Sequence, residues 1–133
     1  MIKKQFTLYL DNKPGALAAI TRRLADAKVN ISGISVSEST DVGLVQMVVS
    51  NVAEAKKIFN GARVPFSTQD VSMLELDNRP GALCDLVTVL AKQKVNINYV
   101  YSTICDCNKG CAANVVISAP DLEKVEKAWN SVG

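Results

Sequence analysis

Four asparagines, three clustered cysteines and two Asp-Asn-basic-Pro-Gly loops carry most of the chemistry in this sequence. Asn12 and Asn78 each stand just ahead of a basic residue and a Pro-Gly pair, and Asn30 and Asn96 each follow 18 residues later. A side-chain amide both donates and accepts, so two of them suit the ammonium and carboxylate ends of an amino acid. Asn and Asp before Pro-Gly are also ordinary turn and cap residues, and that reading stands beside the first. Cys105, Cys107 and Cys111 lie close together on a polar stretch. Three such thiols can hold a soft metal with one further ligand, form a strained redox disulfide or sense oxidation. Their spacing matches no zinc pattern, the chain has no histidine to complete a set, and unreactive thiols remain the simplest reading. Without histidine the commonest general base is missing. No glycine-rich nucleotide loop or metal-carboxylate motif appears. Asp11 and Asp77 are imaginable as bases, but helix capping accounts for them more simply. The expectation is a protein that binds without catalysing and needs no cofactor.

These residues are positioned by a repeat. The run Leu10-Asp11-Asn12-Lys13-Pro14-Gly15-Ala16-Leu17 returns 66 residues later as Leu76-Asp77-Asn78-Arg79-Pro80-Gly81-Ala82-Leu83. Lys28-Val29-Asn30-Ile31 returns in the same register as Lys94-Val95-Asn96-Ile97. A gapless match of that length marks an internal duplication, with copies over 1–67 and 68–133. Phe6, Leu8 and Leu10 alternate with Gln5, Thr7 and Tyr9, which is strand periodicity. A helix over 15–28 puts Leu17, Ile20, Leu24 and Ala27 on one apolar stripe, with Pro14 and Gly15 at its opening and Asp11 or Asn12 as its cap. Strands over 31–36 and 42–49, a helix over 52–60 and a strand over 64–68 complete the first copy. The order β-α-β-β-α-β is that of a ferredoxin-like α+β fold with an antiparallel sheet. The second copy reads as a strand over 71–76, a helix over 81–93, strands over 97–104 and 112–118 and a helix over 120–130. It ends before a fourth strand, so its sheet is one strand short or takes an edge strand from a neighbour. An open edge invites pairing, hence the expectation of a shared sheet or a homodimer. Cys84 is expected to pack on the second copy's first helix, where the first copy has Ala18.

Composition narrows the setting. Of 133 residues 48 % are hydrophobic and 21 % charged, and the net charge is +2; that balance is globular. Lys and Arg are scattered rather than gathered on one face, so nucleic acid is not expected as a partner. No apolar run reaches the ~18 residues of a membrane span, and no signal sequence opens the chain. A cytoplasmic protein with reduced thiols is the expectation.

The run Asp-Asn-Lys-Pro-Gly-Ala-Leu, a helix and then Val-Asn-Ile resembles the signature of the ACT domain, and both copies carry it. The resemblance implies two tandem ACT-like domains, a class of regulatory modules of amino-acid metabolism. Such modules commonly bind an amino acid at the interface of paired domains, using this loop. It therefore implies ligand contacts at Asp11, Asn12, Pro14, Gly15, Ala16, Leu17, Asn30 and Ile31, and again at Asp77, Asn78, Pro80, Gly81, Ala82, Leu83, Asn96 and Ile97. The serine-sensing domain of phosphoglycerate dehydrogenase carries asparagines at the two equivalent positions, but also a histidine where this chain has Leu10 and Leu76. That departure counts against serine and favours a more apolar ligand, a branched-chain or aromatic amino acid. Ser32, Gly33 and Ser35 become Asn98, Tyr99 and Tyr101 in the second copy, so the two sites need not be equal. Three roles follow: a free-standing amino-acid sensor, a regulatory subunit of a biosynthetic enzyme such as acetolactate synthase, or a thiol or metal sensor built on Cys105, Cys107 and Cys111.

Overall fold

The structure is a computed structural model that describes residues 1–38, 42–103 and 112–132. Cys105, Cys107 and Cys111 lie outside these residues. The fold is α+β, with six strands and four helices among them, grouped in two compact units: Lys4–Gln69, and Met1–Lys3 together with Asp70–Gly133.

The first unit contains most of β1 (Ile2–Asp11), then α1 (Ala16–Asp26), β2 (Ile31–Glu38), β3 (Val42–Val49), α2 (Val52–Gly61) and the opening of β4 (Phe66–Asp77). Its strand order is β2-β3-β1-β4. β1 runs antiparallel to β3 from Gln5↔Val48 to Asp11↔Val42, and β2 runs antiparallel to β3 with a bulge between Ile31 and Gly33. The alternation of β1 sends Phe6 and Leu8 into a core with Ile20 and Leu24 of α1 and Phe59 of α2. Phe6, Phe59 and Phe66 meet edge to face or tilted, with ring centroids 5.1–5.7 Å apart, a geometry favoured by the ring quadrupoles. The polar residues of β1 are not left to solvent as simple alternation would have it. Gln5 and Thr7 are buried, and both meet Gln69 of β4: Thr7 Oγ1 donates to Gln69 Oε1 at 2.7 Å and Gln5 Nε2 at 3.3 Å. Burial of such groups is tolerable because they are bonded. Asn51 caps α2, its side-chain oxygen accepting from the Glu54 amide at 3.0 Å.

The second unit contains the rest of β4, α3 (Ala82–Lys92), β5 (Tyr99–Thr103), β6 (Ala112–Ser118) and α4 (Leu122–Val132). β6 lies between β4 and β5 and is antiparallel to both, with Leu74↔Val115 and Tyr101↔Val116 in register. Leu74 and Leu76 of β4, Leu86 and Leu90 of α3 and Val125 and Ala128 of α4 form its core. No strand follows α4 among the described residues. Instead the Met73 amide of β4 donates to the Met1 carbonyl at 2.8 Å, and Met1–Lys3 belong to this unit.

The strands expected over 64–68 and 71–76 are one strand, β4, of 12 residues. No glycine or proline interrupts 66–77, so nothing breaks the extended backbone. Helix capping also departs from expectation. Neither Asp11 nor Asn12 caps α1: its N-cap is Gly15, without a side-chain bond, and α3 begins the same way at Gly81.

Candidate ligand-binding site

The two Asp-Asn-basic-Pro-Gly loops have one conformation. In the first, the Lys13 amide donates to Asp11 O at 2.9 Å, Ala16 to Lys13 O at 3.3 Å and Ala19 to Gly15 O at 2.9 Å. In the second, the Arg79, Ala82 and Asp85 amides repeat these bonds at 2.9, 3.3 and 2.9 Å. Gly15 and Gly81 stand at φ 88° and 91°, a left-handed conformation that residues with a Cβ avoid. This is the physical reason for the glycine in each loop. Neither N-cap glycine supplies a side-chain cap, and the helix dipole is positive at that end.

The basic residue separates the copies. Arg79 bonds Asp85 through Nη2 at 3.0 Å and the Pro80 carbonyl through Nη1 at 3.2 Å, and its Nε stands 3.9 Å from Asp77. Among the described residues Lys13 pairs with Asp11, at 3.7 Å on an exposed surface. Arg79 is therefore held against the start of α3 by three partners, a fork geometry that lysine does not provide.

Beside the second loop opens a cavity of about 280 Å³. It is lined by Asp77, Asn78 and Arg79 together with Leu76 and residues of α3, β5 and β6. Tyr101 lines it, half-buried, its ring stacked on Tyr99 with centroids 6.3 Å apart and planes 11° from parallel. Burial, and secondarily the neighbouring Tyr99, pushes the Tyr101 phenol above its ordinary range, so it stays protonated and can donate. Across Arg79 and Ala82 lies a second cavity, of about 410 Å³, bounded by Asp85 and by Trp129 and Val132 of α4. The first copy has a cavity of about 280 Å³ at the place equivalent to this 410 Å³ one, lined by Tyr9, Leu10, Asp11 and Ala16 and by the 62–65 segment.

The structure thus gathers some of the expected residues and scatters others. Asp77, Asn78, Ala82 and Leu83 share the cavity beside the second loop; Pro80, Gly81, Asn96 and Ile97 do not line it. Ile97 and Ile31 pack against the cores of their own units. Asp11 and Ala16 line the first-copy cavity, whereas Asn12, Pro14, Gly15, Leu17 and Asn30 stand outside it, each exposed. The Asn30 amide donates to Ser50 Oγ, and its carbonyl accepts from the Ser50 amide, both at 2.9 Å. The expected grip by a pair of asparagines therefore has Asn78 at the cavity but not Asn96. Arg79, Val100, Ser102, Ala113 and Val115 also line this cavity and were not among the expected contacts. The signal for Arg79 was present in Asp85, six residues on. Cys84 is exposed on α3 rather than packed, its Sγ 3.8 Å from Thr88 Oγ1. Among the described residues no cluster of metal-ligating side chains occurs, and no helix is long and apolar enough to cross a membrane.

The family model described as an ACT domain pair matches residues 1–125. No curated protein matches the sequence. Among solved structures, protein BT0572 from Bacteroides thetaiotaomicron is similar at 30 % identity and a TM-score of 0.87, with 98 % of this chain and 88 % of that one covered. The regulatory subunits of aspartate kinase from Thermus thermophilus and Thermus flavus share the fold at 15 % and 16 % identity, with TM-scores of 0.72 and 0.69. In both, 99 % of this chain and 93 % of the other are covered.

Proposed function

The chain belongs to the ACT-domain pair family, and from that premise we propose that it is a non-catalytic regulatory protein that binds a free amino acid at the strand–helix loop. The observation that carries this reading is the cavity beside the second loop, which brings Asp77, Asn78 and Arg79 together with apolar residues of α3, β5 and β6. Carboxylate recognition falls to Asn78, Arg79 and the uncapped start of α3, and the Asp77 carboxylate suits an ammonium. Nothing in such a site requires a reacting group. Binding would instead shift the protein between assembly states, the pairing of two chains into a homodimer being the simplest.

Titration calorimetry against the common amino acids tests the proposal. We expect at least one to bind, and Asn78→Ala to weaken it about tenfold, the cost of one hydrogen bond to a charged group. A flat response to every amino acid would overturn the reading. A second role, regulatory subunit of an enzyme of amino-acid synthesis such as acetolactate synthase, draws support from the fold shared nearly end to end with the aspartate kinase regulatory subunits. It predicts that the tagged chain retains such an enzyme from a cell extract; recovery of the chain alone would count against it.

A further inference from the structure

We propose that the cavity of the second copy selects amino acids with a large apolar side chain, and that Leu83 and Tyr101 set this preference. The inference rests on the amino-acid-binding reading above and adds to it the class of ligand and the copy that takes it.

Among the described residues, the charged groups that line the cavity are Asp77 and Arg79, which flank Asn78. The rest of the described lining is Leu76, Ala82, Leu83, Val100, Ala113 and Val115, with Ser102 and the Tyr101 phenol the other polar contributions. An amino acid placed with its charged ends at the loop directs its side chain along these apolar walls. A hydroxyl, amide or charge carried there loses water with few partners in return, at about 1–3 kcal/mol for each unsatisfied group. An apolar side chain meets no such cost and removes further apolar surface from water. Leu83 and Val100 are 44 % and 41 % exposed, so a ligand between them covers apolar surface that the unit leaves open. Tyr101 is already held in place by its stack on Tyr99, and a wall fixed in advance loses little entropy on binding. A volume near 280 Å³ sits at the low end of small-molecule sites, about 300 Å³ upward, and suits one amino acid rather than a nucleotide. The first copy differs in the residues at these positions. Its equivalents of Tyr99 and Tyr101 are Gly33 and Ser35, and its cavity lies on the other side of the loop, against 62–65.

Calorimetry on the full chain with leucine, phenylalanine, asparagine and serine reads the preference directly. Leucine and asparagine are close in shape, so their ratio isolates polarity. We expect leucine or phenylalanine to bind about tenfold or more tightly than asparagine, with one site per chain. Leu83→Gln, at a half-exposed position, is expected to weaken the apolar ligand about fivefold, and Tyr101→Ser to narrow the leucine-to-asparagine ratio toward one. Val36→Gln, on the exposed part of β2 in the first unit, is expected to change neither. Circular dichroism establishes that each variant is folded. Equal or tighter binding of asparagine or serine would overturn the preference while leaving amino-acid binding intact. The assignment to Leu83 and Tyr101 is overturned in the same way if the folded Leu83→Gln and Tyr101→Ser variants both keep the wild-type ratio. Absence of binding by any amino acid would remove the amino-acid reading itself and the preference with it.

Discussion

Gly15 and Lys28 show how single backbone conformations set the geometry of each copy. Gly15 at φ 88° opens α1, and Lys28 at φ 59° ends the turn after it; Gly81 and Lys94 repeat the pair at 91° and 57°. A Cβ on Gly15 would touch nothing within 4 Å, so any penalty for adding one comes from the backbone alone. We expect Gly15→Ala to lower stability by about 1–2 kcal/mol, measured as a shift of the urea midpoint; an unchanged midpoint would show that the left-handed conformation is not required. This requirement is readable in the sequence, because only glycine takes the position without strain. The lysines were not readable in the same way. Residues with a Cβ adopt such a conformation only when the surrounding bonds hold them there, here Lys28 N–H to Ala25 O at 3.0 Å and Val29 N–H to Leu24 O at 2.9 Å.

At the scale of elements, the instructive comparison is between Tyr9 and its repeat partner Glu75. In the first copy the Tyr9 amide donates to Pro65 O at 3.0 Å, where the chain enters β4. In the second copy no strand follows α4 among the described residues, and the Glu75 carbonyl accepts instead from Trp129 Nε1 at 2.8 Å. A side chain of α4 thus bonds the strand backbone at the position where, in the first copy, the backbone of the segment leading into β4 does. Trp129→Phe keeps the ring against the core but removes the donor, and we expect it to cost about 1–2 kcal/mol, measured as a shift of the urea midpoint. A loss near zero would mean that water replaces the indole without penalty. The element order was legible in the sequence because apolar periodicity changes from two to about 3.6 where strands give way to helices. The joining of two expected strands into β4 was not, because the ends of a strand are set by what lies beside it as much as by its own residues.

For the whole chain, the division into units does not follow the repeat to the residue, since Met1–Lys3 join Asp70–Gly133. The Met73 amide, bonded to Met1 O, should exchange slowly with solvent. We expect a chain beginning at Lys4 to lose that protection while the first unit keeps its own, as followed by residue-resolved hydrogen exchange. Equal protection of Met73 in both forms would show that Met1 contributes nothing to this edge. Duplication supplies two scaffolds of similar plan. Their contents differ: all three phenylalanines lie in the first copy, and the single tryptophan lies in the second.

The sequence by itself determined the duplication, the element order, the two glycine-hinged loops and the family, because each is written in residues that lie near one another along the chain. Only the tertiary structure decided that Tyr101 and Val115 stand with Asn78 around one cavity, that Gln5 and Thr7 are buried against Gln69, and that Asn96 does not join Asn78 there. The physical reason is that local periodicity fixes which face a side chain takes. Strand order and register, which depend on contacts between distant residues, fix what that face meets.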